Sequence, residues 1–202
     1  MKLYTVFLSI LVWITGTTEA FARNLPEPSS GSIQRISDFY SKHVPTRNID
    51  IWLPEGYSNK NKYDVLYMHD GQMLFDAQST WNNQEWKVDE VAAKLMEKDN
   101  IKPFIVVGIW NSGETRYPEY FPQKVYDELS WLDKVEVKSK LIAQSKSVSP
   151  IGDFFFADDY IQFLAEELIP FIENNFSVNK GQAHRYLAGS SMGGLISWYA
   201  LM

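Results

Sequence analysis

Cysteine is absent from the 202-residue chain, which excludes a disulfide scaffold and an amino terminus lipidated through a thioether, and leaves folding independent of oxidation. Positive charge is in short supply: 19 Lys plus Arg stand against 25 Asp plus Glu, a formal net charge of −6. With no Lys/Arg block either, nothing draws the chain to nucleic-acid phosphates or to an anionic membrane surface. Glycine, at 11 residues, is far below the roughly one-third of a collagen-like chain, and 45% hydrophobic residues are too many for a disordered one. What remains is an ordinary globular protein, with one domain as the natural expectation.

Long apolar runs are missing too. The one near the start, Leu3 to Ile14, is too short to span a bilayer comfortably. With the positive start Met1-Lys2 and the small-x-small pattern Ala20-Phe21-Ala22, it reads as a signal peptide over residues 1–22. That places the mature protein outside the cytoplasm, secreted or periplasmic, with no stable membrane insertion after cleavage. Residues 23–32, rich in Pro, Ser and Gly, read as a flexible tether, and residues 33–202 as the folded domain.

Within that domain, Arg47 to Leu53 alternates apolar and polar residues and stops at Pro54-Glu55-Gly56-Tyr57, as a half-buried strand would. Tyr63 to Met68 and Pro103 to Trp110 are short, nearly unbroken apolar runs, which suit strands buried on both faces. Between them Val88, Val91, Leu95 and Met96 recur at helical spacing, so strand, helix and strand form a right-handed parallel crossover. A second helical pattern runs through Val125, Leu129, Leu132, Val135 and Leu141. A third starts near Gly152-Asp153, passes Tyr160, Leu164 and Leu168, and tolerates or bends at Pro170. Arg185 to Ala188 reads as a short strand, followed by a glycine-rich turn and a helix over Leu195 to Met202. Alternating strands and helices specify an α/β fold. The sequence offers no redox cofactor motif, phosphate loop or metal cluster. Asp153, Asp158 and Asp159 miss the calcium-loop spacing and suit a helix start, so neither cofactor nor metal is expected.

The chemistry concentrates at Gly189-Ser190-Ser191-Met192-Gly193. A Gly-x-Ser-x-Gly run between a strand and a helix fits a nucleophile elbow, in which a sharp turn lifts the central hydroxyl clear of the sheet. Glycine at 189 and 193 is then a steric requirement, because a Cβ there would collide as strand and helix close on each other. Ser191 is the candidate nucleophile, and the Met192 N–H at the helix start faces any negative charge that develops. A second amide donor is expected from the loop after the Tyr63 to Met68 strand, His69-Asp70-Gly71-Gln72, where the Gln72 N–H is the candidate.

Together with these, Leu74-Phe75-Asp76, Trp86-x-Val88-Asp89-Glu90, Val106-Val107-Gly108-Ile109, Arg116-x-x-Glu119-Tyr120 and Ala188-Gly189-Ser190-Ser191-Met192-Gly193-Gly194-Leu195 closely resemble an esterase branch of the α/β-hydrolase superfamily. That branch takes in enterochelin-type siderophore esterases, feruloyl and acetyl-xylan esterases and, more distantly, mycolyltransferases. The resemblance runs in order over about residues 33 to 202. It implies an α/β-hydrolase fold, a mostly parallel sheet with helices on both faces. It also implies a serine esterase that hydrolyses carboxylic esters, on a polysaccharide or a siderophore, through an acyl-enzyme at Ser191. By the same likeness Gln72 lends its amide to the oxyanion hole and Arg116, Glu119 and Tyr120 contact substrate; a surface ion pair and turn is the other reading of those three.

What the sequence withholds is the rest of a triad. A serine hydroxyl needs a histidine to take its proton and a carboxylate to hold that histidine, and in α/β-hydrolases both follow the serine. Residues 192–202 contain no acidic residue and no histidine. His43, His69 and His184 all precede Ser191; His69 reads as a tie between loops rather than as a general base. The expectation is therefore a domain whose carboxyl-terminal part is missing, with little or no turnover on its own. Two other functions stay open: a non-catalytic carbohydrate-binding protein in which Trp81, Trp86, Trp110 or Trp131 stacks on sugar, and an acyltransferase that hands the acyl group to a sugar hydroxyl.

Overall fold

The computed structural model describes residues 25–98, 101–144 and 155–202. The expected signal peptide and the start of the third helix at Gly152-Asp153 lie outside the described residues.

Among the described residues, five strands form one sheet: β1 (Ser32–Phe39), β2 (Arg47–Leu53), β3 (Asp64–His69), β4 (Phe104–Ile109) and β5 (Arg185–Ala188), in the spatial order β1-β2-β4-β3-β5. The core β4-β3-β5 is parallel, and β2 and β1 add to it antiparallel. The helices are α1 (Val88–Glu97), α2 (Arg116–Tyr120), α3 (Gln123–Asp127), α4 (Trp131–Gln144), α5 (Ala157–Gln162), α6 (Ile169–Asn175) and α7 (Met192–Tyr199). A π-helical turn, Phe163–Leu168, joins α5 to α6.

The unbroken apolar runs are explained by two hydrophobic layers. Val65, Tyr67, Ile105, Val107 and Ile109 face Tyr160, Phe163, Leu168, Ile172 and Ile196 on the side of α5, α6 and α7. Their neighbours Leu66, Met68 and Val106 face Trp52, Leu74, Phe75 and Ala92 on the side of α1. Alternate residues of each central strand thus enter opposite layers, and both must be apolar.

Three expectations change on contact with the structure. β1 is a strand where none was expected: its apolar residues do not alternate, because Ile33 faces the layer under α1 and Ile36 and Phe39 the other, and the pairing slips between Ile36 and Phe39, with Asp38 at φ 51 in the irregularity. Residues 25–31, expected within a flexible tether, lie docked on the domain. The Glu27 N–H donates to Asp76 (3.2 Å), the Ser29 N–H to Asp89 (2.7 Å), and the Trp52 indole N–H to the Ser30 carbonyl (2.7 Å). The second helical pattern is two helices, since Ser130 interrupts it: its hydroxyl donates to Asp133 (2.6 Å) at the start of α4. Of the apolar side chains in that pattern, Leu129 packs against Tyr126 and Phe155, whereas Leu132 is 70% exposed and Val125 and Val135 about half exposed. The chain does pass Pro170 without breaking; the π-helical turn just ahead of it supplies slack where proline offers no N–H.

Candidate active site

Three residues, 189–191, turn the end of β5 into α7. Ser191 carries the strain of that turn at φ 54, ψ −117, outside the regions open to most L-residues and costing of order 1–3 kcal/mol. It is held there by backbone packing. A Cβ on Gly189 would stand 2.5 Å from the carbonyl carbon of Gly193 and 2.7 Å from its oxygen, and one on Gly193 would lie 3.2 Å from the His69 Cβ. Ser191 itself is exposed. The first hydrogen bond of the turn runs from the Gly193 N–H to the Ser190 carbonyl (2.8 Å), so the Met192 N–H sits ahead of it at the positive end of α7.

The loop after β3 leaves the same edge of the sheet, because Met68 and Ala188 are register partners in the parallel pair β3-β5. Asp70 takes a left-handed conformation (φ 59, ψ 45) and starts a short turn, Gly71–Met73. The Met73 N–H closes that turn on the Asp70 carbonyl (2.9 Å), which leaves the Gln72 N–H ahead of the first bond, as Met192 is in α7. Gly71 is required by packing rather than by approach to a substrate: a Cβ there would stand 2.5 Å from the carbonyl carbon of Gly108 on β4.

Asp70 is the hub of this loop. Its buried carboxylate accepts two hydrogen bonds from Arg116 (2.6 and 2.7 Å) and one from the Asn111 side chain (2.7 Å). The bond to Asp70, working against burial, holds the Arg116 guanidinium above its ordinary range. The Asn111 N–H in turn donates to the Gln72 side-chain oxygen (3.1 Å). None of these links was evident in the sequence, since the partners lie 39 to 46 residues apart.

The expected substrate contacts at Glu119 and Tyr120 are corrected by burial. Both are 0% exposed. Glu119 accepts from Arg47 (2.9 and 2.8 Å), Ser112 (2.9 Å) and Thr115 (3.0 Å). The Tyr120 ring packs against His69 and Tyr160, with centroids 5.3 and 5.2 Å away. The pair read as a surface ion pair is thus two pairs, Arg47–Glu119 inside the protein and Arg116–Asp70 half-open to solvent, and of the three residues only Arg116 reaches the surface.

No histidine hydrogen-bonds to Ser191 among the described residues. His43 pairs with Glu166 (3.4 Å), and His184 with Asp64 (2.7 Å) at the far end of β3. His69 is fully buried beneath the elbow, its Nδ1 bonded to the Tyr160 hydroxyl (2.8 Å) and its Nε2 without a partner. Burial pushes this imidazole down to about 4, with Arg116 and Arg47 adding to the effect and Asp70 opposing it. Below an unfolded value of about 6.5 the unfolded chain therefore takes up a proton that the folded one refuses until about pH 4. His69 supports the fold fully above that window, and roughly 3 kcal/mol of stability is lost as pH falls through it. Urea unfolding at pH 7.5, 5.5 and 4.5 checks this: the decline should be shallower in His69→Gln, and equal declines would refute the assignment.

Of the four tryptophans that the carbohydrate-binding alternative offered for stacking on sugar, Trp86 packs into the layer under α1, and Trp110 donates to Asp50 (2.7 Å) beneath the Arg35 guanidinium. Trp81 and Trp131 are open to solvent, 85% and 74% exposed. Among the described residues, no group of three or more His, Asp or Glu side chains is placed to hold a metal, and no helix is long and apolar enough to cross a membrane.

Comparison with known proteins agrees with this architecture. A family model described as "Putative esterase" matches residues 45–136 and 137–202. The endo-1,4-beta-xylanase/feruloyl esterase of Xylanibacter ruminicola is 25% identical over 176 residues, covering 82% of this chain and 19% of its own. Among solved structures, an IroE-like serine hydrolase from Shewanella oneidensis superposes with a TM-score of 0.55 at 26% identity, over 82% of this chain and 44% of that one. A ferulic acid esterase from the anaerobic fungus Anaeromyces mucronatus gives a TM-score of 0.54 at 21% identity, over 89% and 57% respectively. The chain thus spans less than two thirds of the length of each of these relatives.

Proposed function

The chain belongs to this esterase family, and on that premise we propose that it carries the nucleophile and oxyanion site of a secreted or periplasmic carboxylic-ester hydrolase. Ser191 Oγ adds to the ester carbonyl carbon, and the oxygen that becomes negative accepts hydrogen bonds from the Met192 and Gln72 amides. The serine proton passes through a base to the departing alcohol, and water then cleaves the acyl-enzyme to free the acid. The observation that carries this reading is the exposed, strained Ser191 between two packed glycines at the start of a helix.

The base is not supplied by the described histidines, each of which is engaged or buried away from Ser191. The 202-residue chain alone is therefore expected to turn over little, because an oxyanion site without a base forfeits most of the rate. An acyl ester on a plant polysaccharide is the favoured substrate class, supported by the relative named for both xylanase and feruloyl esterase. The open rings of Trp81 and Trp131 suit contact with sugar. A siderophore ester is the competing substrate, and an acyltransferase the competing outcome; hydrolysis of feruloylated xylan against a catecholate ester, with and without a sugar acceptor, separates them.

The decisive test is labelling of the protein, expressed from its intact gene, by a fluorophosphonate. Wild type should label, Ser191→Ala should not, and p-nitrophenyl acetate hydrolysis should fall by at least roughly 10³-fold. Labelling that persists in Ser191→Ala, or polysaccharide binding by a folded wild type that never labels, would refute the enzymatic reading.

A further inference from the structure

We propose that Arg116 is a positioning residue for the oxyanion site: by clamping Asp70 it fixes where the Gln72 and Met192 amides stand, and it cancels a negative charge that would otherwise oppose the forming alkoxide. The inference rests on the reading of Ser191 as the nucleophile.

The geometry joins three elements at one carboxylate. Arg116 grips Asp70 with two parallel bonds of 2.6 and 2.7 Å, the arrangement that adds direction to strength. The guanidinium is steadied from behind by the Tyr120 ring, 5.2 Å from its centroid, which explains why a fully buried tyrosine belongs to this corner. Asn111 holds the Asp70 carboxylate through its side chain and the Gln72 side chain through its N–H, so the segment 111–116 grips residues 70 and 72 and leaves the Gln72 N–H outside its grasp. On the other side, Asp70 Oδ2 lies 3.4 Å from where a Gly193 Cβ would stand, against the first turn of α7. The carboxylate is thus a spacer between the two loops whose amides must converge.

Its charge makes the clamp necessary. An unpaired carboxylate in that corner would raise the energy of an oxyanion nearby, and a non-glycine residue at φ 59 has no reason to stay left-handed once its side chain is released. Either change costs transition-state binding rather than ground-state binding, because a neutral ester carbonyl asks little of the amides.

The test follows fluorophosphonate labelling of the protein expressed from its intact gene, in which the serine oxygen bonds phosphorus as its proton passes to a base, fluoride departs and the phosphonyl oxygen takes the oxyanion position. Arg116→Met should label roughly 10- to 100-fold more slowly at saturation, less than the loss of a whole donor, with its half-saturating concentration nearly unchanged. Arg116→Lys should fall between, and Asp70→Asn combined with Arg116→Met should recover part of the rate, since it removes the stranded charge. Labelling of Arg116→Met within twofold of wild type, or a loss confined to half-saturation, overturns the inference while the nucleophile reading stands. A folded wild type that does not label sinks both. Should Arg116→Met fail to fold, the lysine and double variants decide by the same rates.

Discussion

Gly189→Ala should destabilise the protein by about 3 kcal/mol, the upper part of the range for overpacking, and should slow labelling of Ser191. The added methyl group would stand 2.5, 2.7 and 2.8 Å from the carbonyl carbon, oxygen and Cα of Gly193. None of these atoms belongs to a side chain that can turn away. The start of α7 would have to shift, and that start also presses Gly193 onto His69 and sets the φ of Ser191. Stability and reactivity should therefore fall together. A contrasting site is Gly56, where nothing lies within 4 Å of a new Cβ and only its φ of +73 resists, so that Gly56→Ala should cost about 1 kcal/mol and leave labelling untouched. Urea midpoints and labelling rates of the two variants check the pair; a Gly189→Ala protein as stable as wild type would mean that the elbow is looser than its packing implies.

Glu119→Ala should be at least as costly, about 3–5 kcal/mol, because it leaves a guanidinium with no anion inside the protein. The Arg47 side chain is 1% exposed and that of Glu119 0%. Burial alone would weaken the charge on Arg47, and the bonds to Glu119 outweigh it, so that Arg47 titrates above its ordinary value. Removing the acid also takes one acceptor from the Ser112 and Thr115 hydroxyls, which then have each other. The cost should belong to the broken pair and not to the absence of charge: replacing both partners, Arg47→Met with Glu119→Leu, should recover most of the stability. Denaturation midpoints of the two single variants and the double measure the coupling, and additive losses would show that the pair is not the unit of stability.

These two sites differ in how far the chain announced them. The elbow is local: five consecutive residues, a strand before and a helix after state its geometry, so Gly189 and Ser191 could be singled out without coordinates. The central strands were equally legible, because a strand covered on both faces must be apolar at every position, as Ile105, Val106 and Val107 are. The Arg47–Glu119 pair joins residues 72 positions apart, and the sequence shows only that each carries a charge. Charge normally signals surface, and the family likeness that offered Glu119 as a substrate contact says nothing of its burial. β1 was obscured for a different reason, since its few apolar residues face both layers and a slip in pairing after Ile36 breaks the alternation by which a strand is recognised.

The glycine contacts have a consequence for how such a protein can change its diet. Gly71 lies on Gly108 and Gly193 on His69, backbone against the sheet, so the reacting groups are fastened to strands β3, β4 and β5 and to the segment 111–116 that clamps Asp70, rather than to the outer excursions. Residues 77–84, which display Trp81, and α4, which displays Trp131 and Leu132, can then be rebuilt or exchanged with little effect on the anchored amides or the hydroxyl. Selection acting on those excursions would be free to retune which ester is admitted, while the anchored centre tolerates almost no revision.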